Sequence, residues 1–244
     1  MCVPRQRVRP RQGVGADVAK SRPGGIALRV AGRVVLQSPH AQDPHYDPPG
    51  LPVSGRNPNE GQVRIVGGQW RNTRLPVPTL PGLRPSSDRV RETLFNWLMP
   101  RLGGARVLDL FAGSGALGLE AVSRGAAHAT LVERDPQLVR NLQAAVDKLK
   151  AAERVAVVQA DALRWLGTAP PVQAGLVFID PPFADGLWEQ ALALLPRHLG
   201  SAPWLYLESP AGQAPRLPPD WLLHREGSTR EVRFALYRHT TATL

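Results

Sequence analysis

The sequence predicts an α/β fold: a doubly wound, mostly parallel sheet that ends in an antiparallel C-terminal hairpin. Three observations predict it. From Ala105 onward, short apolar runs alternate with segments of helical periodicity, the pattern of strands joined by crossover helices. A glycine-rich turn around Gly113-Ser114-Gly115 joins the first of these strands to the first of these helices. The last two apolar runs, near Trp221 to Arg225 and Val232 to Tyr237, are separated only by a short turn at Gly227, so they pair as an antiparallel edge hairpin.

The elements follow in order. Residues 1–60 carry nine prolines, scattered arginines and few large apolar side chains, and read as a basic, proline-rich, disordered extension. Within it Ile26 to Leu36 is compatible with a weak hairpin. Val63-Arg64-Ile65-Val66 alternates and meets Gly67-Gly68, a strand and a turn. Trp70, read as a packing residue, and Arg71 follow, then a proline-rich loop to Arg84-Pro85. Ser86 or Ser87 caps a helix with Asp88 in its first turn and Val90, Leu94, Trp97 and Leu98 on one face. Pro100 and Gly103-Gly104 stop it. Residues 61–104 are thus a basic hairpin and helix that precede a ligand-binding domain at 105–240.

In that domain Arg106 to Leu110 is a buried strand and Ser114 to Arg124 a helix closed by Gly125. Ala129 to Glu133 is the next strand. Asp135 caps and Pro136 starts a helix with Leu138, Leu142, Val146 and Leu149 on its buried face. Val155 to Gln159, Leu176 to Ile179 and Trp204 to Leu207 complete the parallel strands, with a helical turn at Asp161 to Leu166 and a helix at Leu187 to Leu195.

Composition narrows the class. The 244 residues are 43% hydrophobic and 20% charged, ordinary for a globular protein that buries a core, and no apolar run is long enough for a membrane span. The lone cysteine, Cys2, rules out an intramolecular disulfide framework or a cysteine metal cluster. The six histidines do not cluster at metal-ligand spacing, so no metal is expected. The first residues lack the apolar core of a secretory signal, which makes a cytoplasmic location the expectation. The net charge of +10 lies entirely in residues 1–101, with 16 basic and 6 acidic residues; residues 102–244 are neutral. A basic part beside a neutral part points to a polyanionic partner such as nucleic acid. A genome rich in arginine codons accounts for Arg over Lys but not for this asymmetry.

Asp109-Leu110-Phe111-Ala112-Gly113-Ser114-Gly115-Ala116-Leu117-Gly118 satisfies the dinucleotide fingerprint G-x-G-x-x-G. Glu133 lies 20 residues past Gly113, at the end of the next strand, where an acid binds ribose hydroxyls. The loop alone suits a nicotinamide cofactor or S-adenosylmethionine, since both carry adenosine. Asp109 separates them: a carboxylate there repels a pyrophosphate and attracts the cationic methionine part of the methyl donor.

Val177-Phe178-Ile179-Asp180-Pro181-Pro182-Phe183 places a rigid polar turn at the end of the fourth strand of this domain. In open α/β sheets, ligands bind at the carboxyl ends of strands where the strand order reverses. The Asp180 carboxylate and the Pro181 carbonyl make a pair of acceptors for one –NH2 group, and Phe183 can stack on a flat base. Together these form a receptor for the exocyclic amine of a nucleobase.

On these residues the sequence resembles class I S-adenosylmethionine-dependent amino-methyltransferases, which have a Rossmann-like sheet. The runs Val63 to Arg71, Leu83 to Leu98 and Leu222 to Glu226 resemble, more closely, the bacterial 16S ribosomal RNA guanine-N2 methyltransferases of the RsmD type. The resemblance covers about residues 61–240; residues 1–60 depart from the family's short start, and Ser86-Ser87 stands where the family has Thr-Thr. It implies methyl transfer to N2 of a guanine in 16S rRNA, free or in a small-subunit particle. A monomer is the simpler expectation for the oligomeric state, and the absence of a long apolar run leaves no membrane partner expected. The resemblance further implies that Asp109 and the Phe111, Ala112, Gly113, Ser114, Gly115 loop hold the methionine part of S-adenosylmethionine. Glu133 would take the ribose and Asp161 face the adenine, while Arg84, Ser86 and Ser87 brace donor and RNA. Asp180, Pro181, Pro182 and Phe183 would be the catalytic turn, and Arg64, Arg71, Arg74, Arg84, Arg89 and Arg91 the phosphate contacts.

Three other readings stay open at this point. An adenine-N6 amino-methyltransferase would use the same acceptor pair, and the N-terminal match speaks against it. A nicotinamide-dependent oxidoreductase is opposed by Asp109, and a catalytically inactive RNA-binding module by the intact Asp180-Pro181-Pro182-Phe183 turn.

Overall fold

The computed structural model describes residues 26–30, 33–37, 60–78 and 87–240. The chain divides into two units, Met1–Gly55 and Arg56–Leu244. In the first, β1 (Ile26–Val30) and β2 (Arg33–Gln37) form an antiparallel hairpin. The other expectations for residues 1–60, and those for Arg84 and Ser86, concern positions outside the described residues.

The second unit opens with a two-stranded ribbon, β3 (Glu60–Arg64) and β4 (Arg74–Pro78), antiparallel with Val63 opposite Leu75. The sequence reading placed a loop where β4 lies, because of Pro76 and Pro78. A two-stranded ribbon has only edges, so a proline can sit in it without breaking an interior ladder. The helix α1 (Asp88–Leu102) is capped by Ser87, whose Oγ accepts the Val90 N–H at 3.3 Å. Pro100 does not stop it. The helix runs to Leu102 and ends at Gly103, because Pro100 removes only one bond, from an exposed final turn where water can replace it.

The remaining elements form a seven-stranded sheet. They are β5 (Arg106–Asp109), α2 (Ala116–Ser123), β6 (His128–Glu133), α3 (Pro136–Lys148), β7 (Val155–Gln159), α4 (Ala162–Thr168), β8 (Ala174–Ile179), α5 (Trp188–Leu194), β9 (Leu199–Pro210), β10 (Trp221–Ser228) and β11 (Val232–His239). The strand order is β10-β11-β9-β8-β5-β6-β7. The five strands β5 to β9 are mutually parallel, and β11 and β10 are antiparallel additions at one edge. The doubly wound sheet with its antiparallel C-terminal hairpin is therefore as expected. The hairpin's turn is not at Gly227 but at Thr229-Arg230-Glu231, where the Thr229 hydroxyl accepts the Val232 N–H at 3.0 Å. Gly227 lies inside β10 opposite Phe234, and any side chain there would collide with the Phe234 ring.

Alternation along the strands divides the core between the two sheet faces. Val107, Leu176, Phe178 and Tyr206 join α1, α2 and α3 on one face. Leu108, Val177, Ile179 and Leu207 join α4 and α5 on the other. All eight residues of α2 are buried, since the ribbon and α1 cover the side that the sheet does not. The amphipathic α3 has Asp135 as its cap, accepting the Gln137 N–H at 2.7 Å, and Pro136 in its first turn.

Residues 61–104 are joined to the sheet domain by shared core. Ile65, Val90, Leu94 and Phe95 belong to the same cluster as Val107 and Phe178. The turn at Gly67-Gly68 docks on the end of α2. The Gln69 N–H donates to the Ser123 carbonyl at 2.8 Å, and the Ser123 hydroxyl donates to the Gly67 carbonyl at 2.6 Å. Gly68 has φ +77°, and a side chain there would collide with the Ser123 carbonyl, so only glycine permits this approach. Trp70 packs on the same core, with the Arg154 guanidinium 5.2 Å above its ring.

Candidate functional site

The order of the sheet reverses between β5 and β8, and a cleft of about 1070 Å³ opens there at the carboxyl ends of the strands. It is lined from three sides. The glycine loop and the ends of β5 and β6 supply one wall, the Asp180 to Asp185 turn another, and Thr229 to Val232 of the C-terminal hairpin a third. Ser87 and Asp161 also reach it.

The glycine loop is built around two acids. Asp109 ends β5, is 2% exposed, and accepts the Gly118 N–H at 3.1 Å. Burial, reinforced by the nearby Glu133 carboxylate, raises the Asp109 carboxyl to about 7 against the Gly118 and Phe111 N–H bonds that favour its anion. Glu133 ends β6, accepts the Gly113 N–H at 2.8 Å through Oε2, and accepts the Asp135 N–H at 2.8 Å through Oε1. The acid expected at the ribose position therefore also pins the glycine loop to the next helix. Gly115, with φ +76°, turns the chain into α2 where a side chain would run into Leu142 and Leu119. Asp161 is exposed at the cleft, and its Oδ1 accepts the Arg164 N–H at 3.0 Å as the cap of α4.

Across the cleft, Asp180 follows β8 directly. Burial, then the carboxylates of Glu208 and Asp109, push its carboxyl well above the ordinary range. Pro181 is buried and Pro182 exposed, and Phe183 begins a short 3-10 turn, its half-buried ring 6.0 Å from that of Trp188. The structure thus brings together the residues expected to hold the donor, Asp109, Phe111 to Ser114, Glu133, Asp161 and Ser87, with Asp180, Pro181, Pro182 and Phe183. Gly115, also expected at the donor, is not among the residues that line the cleft; it makes the turn into α2.

The expected phosphate contacts divide. Arg71, Arg74 and Arg89 are exposed. Arg64 is exposed but paired with Asp88 at 2.7 Å. Arg91 is a correction: it is 1% exposed, pairs with Glu120 at 2.7 Å and Asp88 at 2.6 Å, and donates to the Arg64 carbonyl at 2.7 Å. It points inward on α1, beside the buried positions Val90, Leu94 and Leu98, and cannot reach a phosphate. Helical periodicity carried the signal, since residue 91 is three positions before Leu94 and seven before Leu98.

Sequence reasoning also missed Glu208, buried near the end of β9 yet lining the cleft. An acid near the carboxyl end of a parallel strand, like Asp109 and Asp180, was the available signal. The approach of Thr229 to Val232 had none, because it depends on how the edge hairpin pairs with β9.

The cleft at the switch point thus has a braced glycine loop on one side and the Asp180-Pro181 turn on the other, at the place where open α/β sheets bind ligands. Residues 63–238 match the family described as conserved hypothetical protein 95. A ribosomal RNA small subunit methyltransferase D from Escherichia coli (strain K12) is 48% identical over 185 residues, 73% of this chain and 90% of the relative. One of the same name from Haemophilus influenzae is 40% identical, over 75% of this chain and 98% of the relative. Among solved structures, a putative methyltransferase from Escherichia coli superposes with TM-score 0.67 at 47% identity, covering 73% of this chain and 98% of that one.

Proposed function

The chain belongs to the family of ribosomal RNA small subunit methyltransferase D, and from that premise we propose that it transfers a methyl group from S-adenosylmethionine to N2 of a guanine in 16S rRNA. The observation that supports the reading is that Asp180 and Pro181 line one cleft together with the glycine loop.

The residues present fit the donor. Gly113 allows close approach of a ligand to the backbone, the buried Asp109 matches a cation, and Glu133 and Asp161 line the same wall for ribose and adenine. Bound there, S-adenosylmethionine supplies an electrophilic sulfonium methyl group, so positioning carries much of the remaining catalysis.

The N2 amine of guanine is a weak nucleophile because its lone pair is delocalised into the ring. Asp180 and the Pro181 carbonyl accept its two N–H bonds, draw the nitrogen toward tetrahedral geometry and aim its lone pair across the cleft. Phe183 stacks on the ring. The proton released after attack passes to Asp180 or to water. The guanine must leave its stack to enter, so a flipped or single-stranded base is the substrate. Arg71, Arg74 and Arg89, all exposed on or beside the ribbon and α1, hold the RNA backbone.

The test is methyl transfer from labelled S-adenosylmethionine to small-subunit rRNA or particles, followed by digestion and identification of the labelled nucleoside. N2-methylguanosine, lost in Asp180→Ala, is expected. N6-methyladenosine would keep the site and overturn the substrate; no label on any nucleic acid would overturn the reaction.

A further inference from the structure

Glu208 stands beside Asp180 because of strand register. β8 and β9 are parallel neighbours with Ile179 opposite Leu207, so the next pair along is Asp180 and Glu208. Side chains alternate along a strand, which puts both carboxyl groups on the face that carries Phe178 and Tyr206. Neighbouring strands are about 4.8 Å apart, so the two acids share one end of the cleft.

The surroundings hold Glu208 in place. It is 4% exposed and lines the cleft together with Asp180 and Pro181. The Tyr206 hydroxyl donates to its Oε1 at 2.7 Å, and the Trp188 indole N–H donates to its backbone carbonyl at 2.7 Å. Tyr206 is itself wedged edge-on against Phe178, which is edge-on to Phe95.

We propose that Glu208 accepts the N1–H of the target guanine and thereby sets the preference for guanine over purines that lack this hydrogen. The inference rests on the guanine-N2 reading above. On the guanine edge, N1–H is adjacent to the N2 amine. A base whose amine is held by Asp180 and Pro181 therefore turns N1 toward the group next to Asp180, which is Glu208. Adenine offers the same adjacency with the opposite sign, since its N1 is an acceptor next to the N6 amine. In a buried site, that lone pair is repelled by the carboxylate and leaves the adenine N1 unsatisfied. The closeness of Glu208 already disfavours charge on Asp180. An N–H brought between the two acids relieves this repulsion, whereas a lone pair adds to it.

The experiment compares small-subunit RNA carrying guanine or 2,6-diaminopurine at the methylated position. Diaminopurine keeps the 2-amine but has an acceptor at N1. The wild-type protein is expected to favour guanine by about 100-fold or more in kcat/KM, because a site built for a hydrogen-bond donor rejects the analogue without it. Glu208→Gln, whose amide can donate to N1, is expected to shrink that ratio at least about tenfold with donor affinity unchanged. Equal transfer to both RNAs by the wild-type protein overturns the proposal without any variant. An unchanged ratio in folded Glu208→Gln also overturns it, assigning Glu208 to structure. Absence of N2-methylguanosine on the guanine RNA would instead defeat the functional reading itself, and this inference with it.

Discussion

Arg91 of α1 and Glu120 of α2 form a fully buried ion pair, Nη1 to Oε2 at 2.7 Å, with side chains 1% and 0% exposed. Glu120 also accepts the Val66 N–H at 3.2 Å and pairs with Arg124 at 2.8 Å, so one carboxylate ties the ribbon, α1 and α2 together. Because α2 begins at the glycine loop, this network anchors the basic N-terminal elements to the glycine-loop wall of the cleft. Removing one partner leaves the other buried and uncompensated. Arg91→Ala is therefore expected to cost about 3–5 kcal/mol in urea unfolding. The exposed Arg74→Ala should stay within about 0.5 kcal/mol. Similar small effects from both would refute the anchoring role.

With Asp109 at the donor as proposed, donor binding is expected to depend on pH near neutrality. Its carboxyl is raised to about 7, and a cationic ligand binds the ionised form better. The affinity for S-adenosylmethionine should thus rise as pH increases through about 7 and level off above it, falling by up to about tenfold per unit below. Asp109→Asn, which keeps an acceptor for the Gly118 N–H, should remove this dependence. Isothermal titration between pH 6 and 8 measures it, and a flat wild-type profile would count against the charge role.

Asp180 should govern chemistry rather than donor affinity. Asp180→Asn is expected to lower kcat by about 100-fold or more while the donor Kd shifts only a few-fold. Since burial and the neighbouring acids hold its carboxyl above the ordinary range, the acid limb of the wild-type rate profile should also lie above about pH 4. The rate rises with pH along that limb as Asp180 ionises. A parallel loss of donor binding and rate in the variant would assign Asp180 to structure.

RNA binding should weaken steeply with salt, through exposed arginines only. Removing Arg71, Arg74 or Arg89 is expected to lower the slope of log K against log salt by about 0.7–0.9 per residue. Nitrocellulose filter binding across a salt series gives the slopes. Unchanged slopes in all three variants would place the RNA elsewhere.

Local sequence was enough for the sheet, the two segments that line the cleft and the reaction class. Periodicity marks the strands and α3, Asp135 and Ser87 mark helix starts, and Gly113 to Gly118 and Asp180 to Phe183 carry their chemistry within a few residues. Each of these signals lies in one short segment, where backbone geometry and side-chain type are tightly linked. The tertiary structure alone decided matters that join distant segments. Periodicity sets Arg91 on the inner face of α1, but only α2 brings Glu120, a partner 29 positions away, against it and lets the cation be buried there. Pro76 and Pro78 suggested a loop until β3 paired with them in a ribbon that has only edges. Glu208 was one acid among many until parallel register set it beside Asp180, a placement that depends on which strand neighbours which. A sequence states what each residue can do, and long-range pairing determines which groups do it together.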